Sequence, residues 1–238
     1  MEQILNFRLL ADGVENRQGK KIFNIYRSAD VSSANAADIN CLNEMSINHI
    51  IDLRSSSEIT YLLDTNDINI MNIDIIGNGN QNLVDKYSAN ELVNIMNNLY
   101  ENDFVNTDGF KMELEYISSL DGQAFLFHCT AGKDRTGITG AILMYLLDFE
   151  YEDICAEYLK IDEVLVNAMM NKVMAQFEEH NIDVDIACLR AVASVNQTFL
   201  DLYIRGINKQ FGTVENYIKT KLGITEQMIA ELRTNYLR

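Results

Sequence analysis

The sequence predicts an α/β fold in which a central mixed or largely parallel sheet is flanked by helices and followed by a helical C-terminal extension. Three observations lead to this expectation. Apolar strand-like segments alternate with segments of helical periodicity through about the first 130 residues. A short apolar strand, a glycine-containing loop and an apolar helix follow one another near the middle of the chain. Beyond about residue 151, every periodic segment is helical.

The first half of the chain supplies the predicted sheet and its flanking helices. Period-two or continuous apolar runs predict strands over residues 23–26, 47–53, 68–75 and 124–128. Apolar residues at helical spacing predict helices over 36–45, 88–100, 110–120 and 136–147. Asn35 or Ser33 is expected to cap the first of these helices, and Ser88 the second.

The second half is predicted to be helical over residues 151–160, 162–179, 185–210, 213–222 and 225–236. Gly212 and Gly223 stand where helix C-termini need a left-handed residue. Thr213 and Thr225 stand where the next helices need N-caps. We expect a single domain over residues 1–238, with the helical part from about 151 to 238 as an extension rather than a second domain.

Composition narrows the class of protein. Of the 238 residues, 47% are hydrophobic and 23% are charged, which excludes a disordered chain. The 19 basic and 35 acidic residues leave a net charge of −16, so we expect no nucleic-acid partner. No apolar run is long enough to span a bilayer, and the start lacks a secretory pattern. We therefore expect no integral membrane contact and a cytoplasmic location, while secretion without a signal peptide stays open.

The segment 128–137, His-Cys-Thr-Ala-Gly-Lys-Asp-Arg-Thr-Gly, carries the most information about function. A strand delivers Cys129 to the base of a loop, and Arg135 stands in the first turn of the next helix. Gly132 permits the backbone angles that let the loop curl, so that its amides converge on one point. Converging amides, a helix N-terminus and a guanidinium fork predict a site for a tetrahedral anion. The predicted phosphate-binding residues are Thr130, Ala131, Gly132, Lys133, Asp134 and Arg135.

The same arrangement predicts a nucleophile. Helix N-termini and nearby cations favour the thiolate form of cysteine, which is the reactive form. Thiolate attack by Cys129 on phosphorus would give a phosphocysteine, with the charge on the equatorial oxygens held by the loop amides and Arg135. Water would then release phosphate.

The leaving group needs a proton, and two aspartates are candidates for the acid. In many cysteine phosphatases the acid lies on a Trp-Pro-Asp loop, but this chain has neither Trp nor Pro. Asp134, inside the signature segment, is therefore the first candidate. Asp52, at the end of a predicted strand, is the second, although Asp52 and Arg54 are also expected to form an ion pair that braces the site.

Other side chains near the loop have supporting roles in this interpretation. Lys133 is expected at the pocket rim, where its charge would favour substrates that carry more than one phosphate. Thr136 is expected to donate a hydrogen bond to the departing thiolate, and His128 to support the loop through hydrogen bonds. The spacing of Cys41, Cys155 and Cys188 fits no metal site, so we expect core thiols, no metal and no cofactor.

The motif resembles the signature of bacterial atypical protein-tyrosine phosphatases that also accept phosphoserine, phosphothreonine and phosphoinositides. Further blocks resemble the same family in the same order: residues 6–8, 26–29, 51–55 with Glu58, 211–215 and 222–225. The resemblance implies a protein-tyrosine-phosphatase-like fold, with Cys129 as nucleophile and Arg135 as phosphate ligand. It also implies that Lys133 and Asp134 take part in catalysis, and that a helical lid lies within about 160–195.

The sequence thus favours a phosphatase acting on phosphomonoesters: phosphotyrosine, with phosphoserine, phosphothreonine and phosphoinositides as further substrates. Its expected partners are a phosphoprotein or phosphoinositide substrate and inorganic phosphate in the loop. The alternative is a catalytically weak module that binds phosphoproteins or phosphoinositides. Arsenate reduction is a third interpretation, but it usually needs further cysteines that shuttle a disulfide, and none lies close to Cys129 in sequence.

Overall fold

The computed structural model describes residues 1–59, 63, 68–76, 89–179 and 186–238. Within these residues, five strands form one mixed sheet in the order β1-β2-β5-β3-β4. The strands are β1 (Arg8–Leu9), β2 (Ile25–Ser28), β3 (His49–Asp52), β4 (Asn69–Asn72) and β5 (Phe125–His128). Among these strands, β1 and β2 pair antiparallel, whereas β2–β5, β5–β3 and β3–β4 pair parallel.

Helices cover both faces of this sheet and form the C-terminal part. The described α-helices are α1 (Ala36–Glu44), α2 (Ala89–Asn98), α3 (Phe104–Asn106), α4 (Gly109–Ser119), α5 (Asp134–Leu146), α6 (Tyr151–Tyr158), α7 (Glu163–Glu179), α8 (Ile186–Ala193), α9 (Gln197–Phe211), α10 (Val214–Thr220) and α11 (Glu226–Tyr236). A π-helical segment, Leu99–Asp103, joins α2 to α3. No helix of the described residues has both the length and the apolar character needed to cross a membrane.

The central strand β5 separates two apolar clusters. Phe125 and Phe127 point into the larger cluster, whereas Leu126 points into the smaller one. Burial on both faces explains why this strand reads as a continuous apolar run rather than an alternating one. The predicted α/β fold with a helical C-terminal part is confirmed.

Strand positions differ from the predictions in instructive ways. The strand predicted at 23–26 begins at Ile25, because Asn24 has a φ of +63°, outside the extended region. The strands predicted at 47–53 and 68–75 are shorter, as β3 and β4. The two-residue β1 was not predicted, since so short a segment carries no periodic signal.

Helix caps follow the sequence closely. Asn35 and Asp38 form a reciprocal capping box at the start of α1. Thr213 and Thr225 cap α10 and α11, and the left-handed Gly212 ends α9. Ser88 lies outside the described residues.

The single helix predicted over 185–210 is wrong. Residues 194–196 separate α8 from α9, because Asn196 has an extended backbone (φ −147°, ψ 153°) and its side chain accepts a hydrogen bond from the Phe199 amide. An N-cap of this kind starts a new helix.

The carboxyl ends of three parallel strands meet at one edge of the sheet. Ser28 of β2, His128 of β5 and Asp52 of β3 stand side by side in register. The loops that leave this edge hold the predicted site residues. Leu165 of α7 packs against Ala29, which follows β2, and against Ala131 of the signature loop, so α7 lies next to this loop. The lid role of the α7–α8 region stays a prediction.

Candidate active site

The signature loop joins the end of β5 to the start of α5. Cys129 follows the last residue of β5 and is buried, with 2% of its surface exposed. The Asp30 amide donates to the Thr130 carbonyl at 3.1 Å, which ties the loop to the segment after β2. No described group accepts a hydrogen bond from the backbone amides of residues 130–135. These amides, at the N-terminus of a 13-residue helix, are donors available to an anion.

Gly132 shapes the loop. Its φ is +62°, and a Cβ at this position would lie 2.3 Å from the Ser28 carbonyl oxygen. Any other residue would therefore displace backbone rather than a flexible side chain. The Gly132 carbonyl accepts hydrogen bonds from Arg27 Nη2 and from Asn6 Nδ2, each at 3.1 Å. The chain thus approaches itself too closely here for a side chain, and two donors hold it in place.

Arg27 lies fully buried beneath the loop. Burial, with the nearby charge of Arg8, lowers its pKa to about 10, and Glu157 opposes this shift. Glu157 Oε1 accepts from Arg8 Nε at 2.8 Å and from Arg27 Nη1 at 3.3 Å. Because one carboxylate joins two arginines from β1 and β2, α6 is fixed against the first strands.

Arg135 makes a bidentate ion pair with Glu58. Its Nη1 and Nη2 atoms each lie 2.7 Å from a carboxylate oxygen of Glu58. Burial raises the pKa of Glu58, but the hydrogen bond and charge of Arg135 outweigh burial and bring the pKa to about 2. The pKa of Arg135 is raised: burial lowers it, but the hydrogen bond to Glu58 and the charges of Cys129 and Glu58 outweigh burial. The guanidinium is therefore oriented by Glu58.

Asp134 is the first residue of α5, and its carboxylate is held through one oxygen. Asp134 Oδ1 accepts a hydrogen bond from the Tyr100 hydroxyl at 2.5 Å and lies 3.1 Å from Lys133 Nζ. About a quarter of the Asp134 side chain, 24%, is exposed. The first candidate acid is thus close to Cys129 in sequence and partly open to solvent.

Lys133 does not lie at the pocket rim, so that expectation is wrong. The side chain is buried, and Nζ donates to the backbone carbonyls of Val192 at 2.7 Å and Ser194 at 3.2 Å. Those carbonyls belong to the C-terminal end of α8 and the residues after it, where unpaired carbonyls attract a cation. Lys133 therefore connects the signature loop to α8.

Asp52 and Arg54 form the bracing ion pair that was one of the two expectations for them. Both are buried, and Asp52 accepts from Arg54 Nε at 2.9 Å and from Arg54 Nη2 at 2.8 Å. Arg54 Nη1 also lies 2.8 Å from Asp30 Oδ2. Because its carboxylate is occupied by Arg54, Asp52 is a poorer candidate for a proton donor than Asp134.

His128 and Thr136 are both buried and flank the signature loop in sequence. His128 Nδ1 lies 3.1 Å from the Cys129 carbonyl, which supports the loop as expected. Burial lowers the pKa of His128, and Asp52 offsets part of this shift. The Thr136 hydroxyl is buried and has no hydrogen-bond partner among the described residues, so its donation to the departing thiolate stays a prediction.

The structure brings residues to the site that the motif does not indicate. The motif does not indicate Glu58, which belongs to a separate block of the family resemblance, and it gives no sign of Tyr100 at Asp134 or of Arg27 at Gly132. Glu58 lies 77 positions from Arg135 in sequence, and Tyr100 lies 34 from Asp134. Contacts of such separation depend on tertiary packing rather than on local pattern. The described residues hold no group of three or more metal-ligating side chains.

Two bacterial tyrosine-protein phosphatases are similar in sequence to this chain. The chain is 35% identical over 116 residues to a putative tyrosine-protein phosphatase of Cupriavidus necator, covering 49% of this chain and 40% of that protein. It is 30% identical over 130 residues to a tyrosine-protein phosphatase of Nostoc commune, covering 52% and 42%. Each match therefore spans under half of the relative's length.

Solved structures give weaker similarity. TpbA of P. aeruginosa matches with a TM-score of 0.35 and 15% identity, over 71% of this chain and 86% of that chain. The catalytic core of SIW14 from S. cerevisiae, a PP-IP phosphatase, matches with a TM-score of 0.38 and 17% identity, over 71% and 95%. By contrast, the model of the tyrosine phosphatase family matches residues 1–238. This chain belongs to the tyrosine phosphatase family.

Proposed function

We propose that this chain is a cysteine-dependent phosphatase that hydrolyses phosphomonoesters, phosphotyrosine among them. One observation carries the proposal: the buried Cys129 stands at the base of a loop whose backbone amides make no hydrogen bond with a described residue, and Arg135 lies in the first turn of the helix that follows. Family membership and the names of the two bacterial relatives support the same activity.

The first chemical step transfers the phosphoryl group to sulfur. The amides of residues 130–135 and Arg135 hold the phosphoryl oxygens, while the Cys129 thiolate attacks phosphorus in line with the ester oxygen. An S–P bond forms as the P–O bond breaks, and Asp134 gives its proton to the leaving oxygen. A positioned acid of this kind contributes roughly 10²–10⁴-fold to the rate.

The second step releases phosphate. Asp134, now a carboxylate, takes a proton from water as the water oxygen attacks phosphorus. The S–P bond breaks, the thiolate is restored, and inorganic phosphate leaves. The same residue thus acts as acid and then as base, so no group outside the loop and α5 is needed for proton balance.

In this proposal, Arg135 binds Glu58 through some of its guanidinium donors and phosphate through others. Its two terminal nitrogens bind Glu58 and also donate to the Leu53 carbonyl and to Thr130 Oγ1, each at 3.4 Å, whereas its Nε–H makes no hydrogen bond with a described residue. Nε–H is therefore the donor that Arg135 can offer to a phosphoryl oxygen, and a second oxygen would compete with one of the two long hydrogen bonds for a terminal N–H.

The site favours a substrate with a single phosphate over one with several. The argument for highly anionic substrates depended on Lys133 at the rim, and this lysine is instead buried and bonded to the end of α8. The net charge of −16 also opposes contact with anionic bilayers. Phosphotyrosine is therefore the proposed principal substrate.

The test is release of phosphate from 4-nitrophenyl phosphate and from a phosphotyrosine peptide. The wild-type chain should turn over both, and Cys129→Ser should reduce turnover by at least about 10³-fold, because an alcohol at this position is a far weaker nucleophile. Cys41→Ser, on α1, is the matched control and should retain full activity. Peptide binding without phosphate release by the wild type would instead favour the binding module, and full activity in Cys129→Ser would refute the proposal.

A further inference from the structure

Two buried tyrosines form a chain of hydrogen bonds that ends on Asp134. The Tyr158 hydroxyl donates to the Tyr100 hydroxyl at 2.9 Å, and the Tyr100 hydroxyl donates to Asp134 Oδ1 at 2.5 Å. An ionised carboxylate only accepts, and in a protonated carboxyl the oxygen without the proton also only accepts. The Tyr100 hydrogen therefore points to Asp134, and the Tyr100 oxygen is the acceptor for Tyr158.

Packing holds Tyr100 in this position. Its ring stacks on Phe199 of α9 with centroids 4.8 Å apart and planes within 8°. It also meets Phe104 edge to face, with centroids 5.0 Å apart. Gly206 of α9 touches the π-helical segment so closely that a Cβ there would lie 2.0 Å from the Glu101 carbonyl oxygen. The ring that carries the hydroxyl is thus fixed on several sides.

Tyr158 is held just as closely. Its ring lies against Gly137, where a Cβ would stand 2.8 Å from Tyr158 Cε2. The final glycine of the signature therefore leaves room for a tyrosine from α6. Gly137 therefore allows α5 and α6 to pack closely, in addition to its place next to the anion-binding loop.

We propose that Tyr100 is a positioning residue for the proton donor, and that Tyr158 supports it from behind. The inference rests on the proposed function and deepens it. Asp134 Oδ1 already accepts from Tyr100, and Lys133 Nζ lies 3.1 Å away on the same oxygen. The acidic proton is thereby assigned to Oδ2, which makes no hydrogen bond with a described residue and belongs to a partly exposed side chain.

Tyr100 is suited to this task because it remains a donor. Burial, followed by the charge of Asp134, raises the pKa of Tyr100 well above its usual value, so the hydroxyl keeps its proton throughout the working range. A tyrosinate would repel the Asp134 carboxylate. The protonated hydroxyl instead fixes the rotation of the carboxyl group, which keeps Oδ2 in one orientation between the acid step and the base step.

The experiment compares two aryl phosphates that differ in their need for an acid. 4-Nitrophenolate leaves readily without a proton, whereas the phenolate of phenyl phosphate needs one. Tyr100→Phe should lower kcat/KM about 10-fold on phenyl phosphate and less than about 2-fold on 4-nitrophenyl phosphate. In an Asp134→Asn background, Tyr100→Phe should have no further effect on either substrate. Inhibition by inorganic phosphate should be unchanged in Tyr100→Phe, since the loop amides and Arg135 are untouched.

Tyr203→Phe is the matched control. Tyr203 is also buried and donates to another tyrosine, Tyr217, at 3.0 Å, and neither hydroxyl contacts Asp134. It should leave the ratio of the two kcat/KM values unchanged. If Tyr100→Phe does not fold, Tyr158→Phe decides the question. It should lower the kcat/KM on phenyl phosphate, relative to that on 4-nitrophenyl phosphate, by about 3-fold.

The outcomes separate the two proposals. Equal losses on both substrates, or a further loss in the Asp134→Asn background, would overturn the role of Tyr100 while leaving the phosphatase proposal intact. A wild-type chain without turnover of either substrate would overturn the proposed function, and the inference with it.

Discussion

At the scale of single residues, the site depends on how each charge is oriented. Arg135 has its guanidinium turned by Glu58, and Glu58 in turn accepts from Thr130 Oγ1 at 2.8 Å and from the Ser55 amide at 3.0 Å. One carboxylate therefore joins the segment after β3 to both ends of the signature loop. An arginine held in this way loses little side-chain entropy when it binds phosphate.

Glu58→Gln tests this orientation. The amide keeps the size of the side chain but removes the charge and one acceptor, so the bidentate pair is lost. We expect kcat/KM on 4-nitrophenyl phosphate to fall by about 10-fold to 100-fold, which corresponds to roughly 1.4–2.7 kcal/mol. The exposed Glu44→Gln, at the end of α1, should have no effect. Wild-type activity in Glu58→Gln would show that Arg135 orients itself without this partner.

The positions of site residues were predictable where the partners are close in sequence, as within most of the signature segment and in the Asp52–Arg54 pair. Cys129, Gly132 and Arg135 lie where the motif places them because strand, loop and helix follow one another locally. Lys133 was misplaced for the opposite reason. Its partners, the carbonyls of Val192 and Ser194, lie about 60 residues away, and nothing near Lys133 in sequence indicates them.

At the scale of elements, Lys133 joins the loop to α8, and α7 packs over Ala131 through Leu165 and Met169. A buried ammonium bonded to the end of a helix stabilises that helix against local opening. The position of α8 and the shape of the loop are therefore coupled through one side chain.

Lys133→Met tests this coupling. Amide hydrogen exchange over Ile186–Ala193 should become about 10-fold faster, because a hydrogen bond from a charged donor contributes roughly 1.5–3 kcal/mol. Exchange in α4 should not change. Lys111→Met is the control, since Lys111 forms an exposed i,i+4 pair with Glu115. Unchanged protection of α8 in Lys133→Met would contradict the coupling.

Elements were more predictable than their junctions. The caps at Asn35, Thr213 and Thr225 use local hydrogen bonds, which the sequence displays directly. The break between α8 and α9 was missed because apolar periodicity continues across it, and the cap at Asn196 resembles any other polar residue. The π-helical segment before α3 was also missed, and its backbone packs closely against Gly206, a contact that no local pattern indicates.

At the scale of the whole molecule, a buried carboxyl makes stability depend on pH. Glu113 of α4 is buried, and its Oε2 accepts from Thr139 Oγ1 of α5 at 2.8 Å. Burial raises the pKa of Glu113 to about 8 in the folded chain, against an ordinary value of 4.5. Between these values the folded state holds a proton that the unfolded state releases, so this group makes the folded state less stable as pH rises.

Glu113→Gln should remove this dependence. The wild-type free energy of unfolding should fall by up to about 1.4 kcal/mol per pH unit relative to the variant between about pH 4.5 and 8. Urea denaturation at several pH values measures the difference. The exposed Glu115→Gln should follow the wild type. Parallel curves for the wild type and Glu113→Gln would contradict the buried, protonated carboxyl.

The overall fold was predictable because its class depends on the order of elements. Strands that alternate with helices and are followed by helices alone can form a parallel sheet in only a few topologies. The parallel arrangement also brings the site together at one sheet edge, because Asp52 is the last residue of β3 and Cys129 directly follows the last residue of β5. The hydroxyl chain from Tyr158 to Asp134 was not predictable, because it joins α6, the π-helical segment and α5 across the core.

The most direct measurement of the central claim is a rapid-quench experiment with 4-nitrophenyl phosphate, followed by peptide mapping of the protein. A phosphoryl group should appear on the peptide that contains Cys129, at up to one group per chain, at a rate that matches the burst of 4-nitrophenolate. A burst without a phosphoryl group on Cys129, or a phosphoryl group on any other residue, would contradict nucleophilic attack by Cys129.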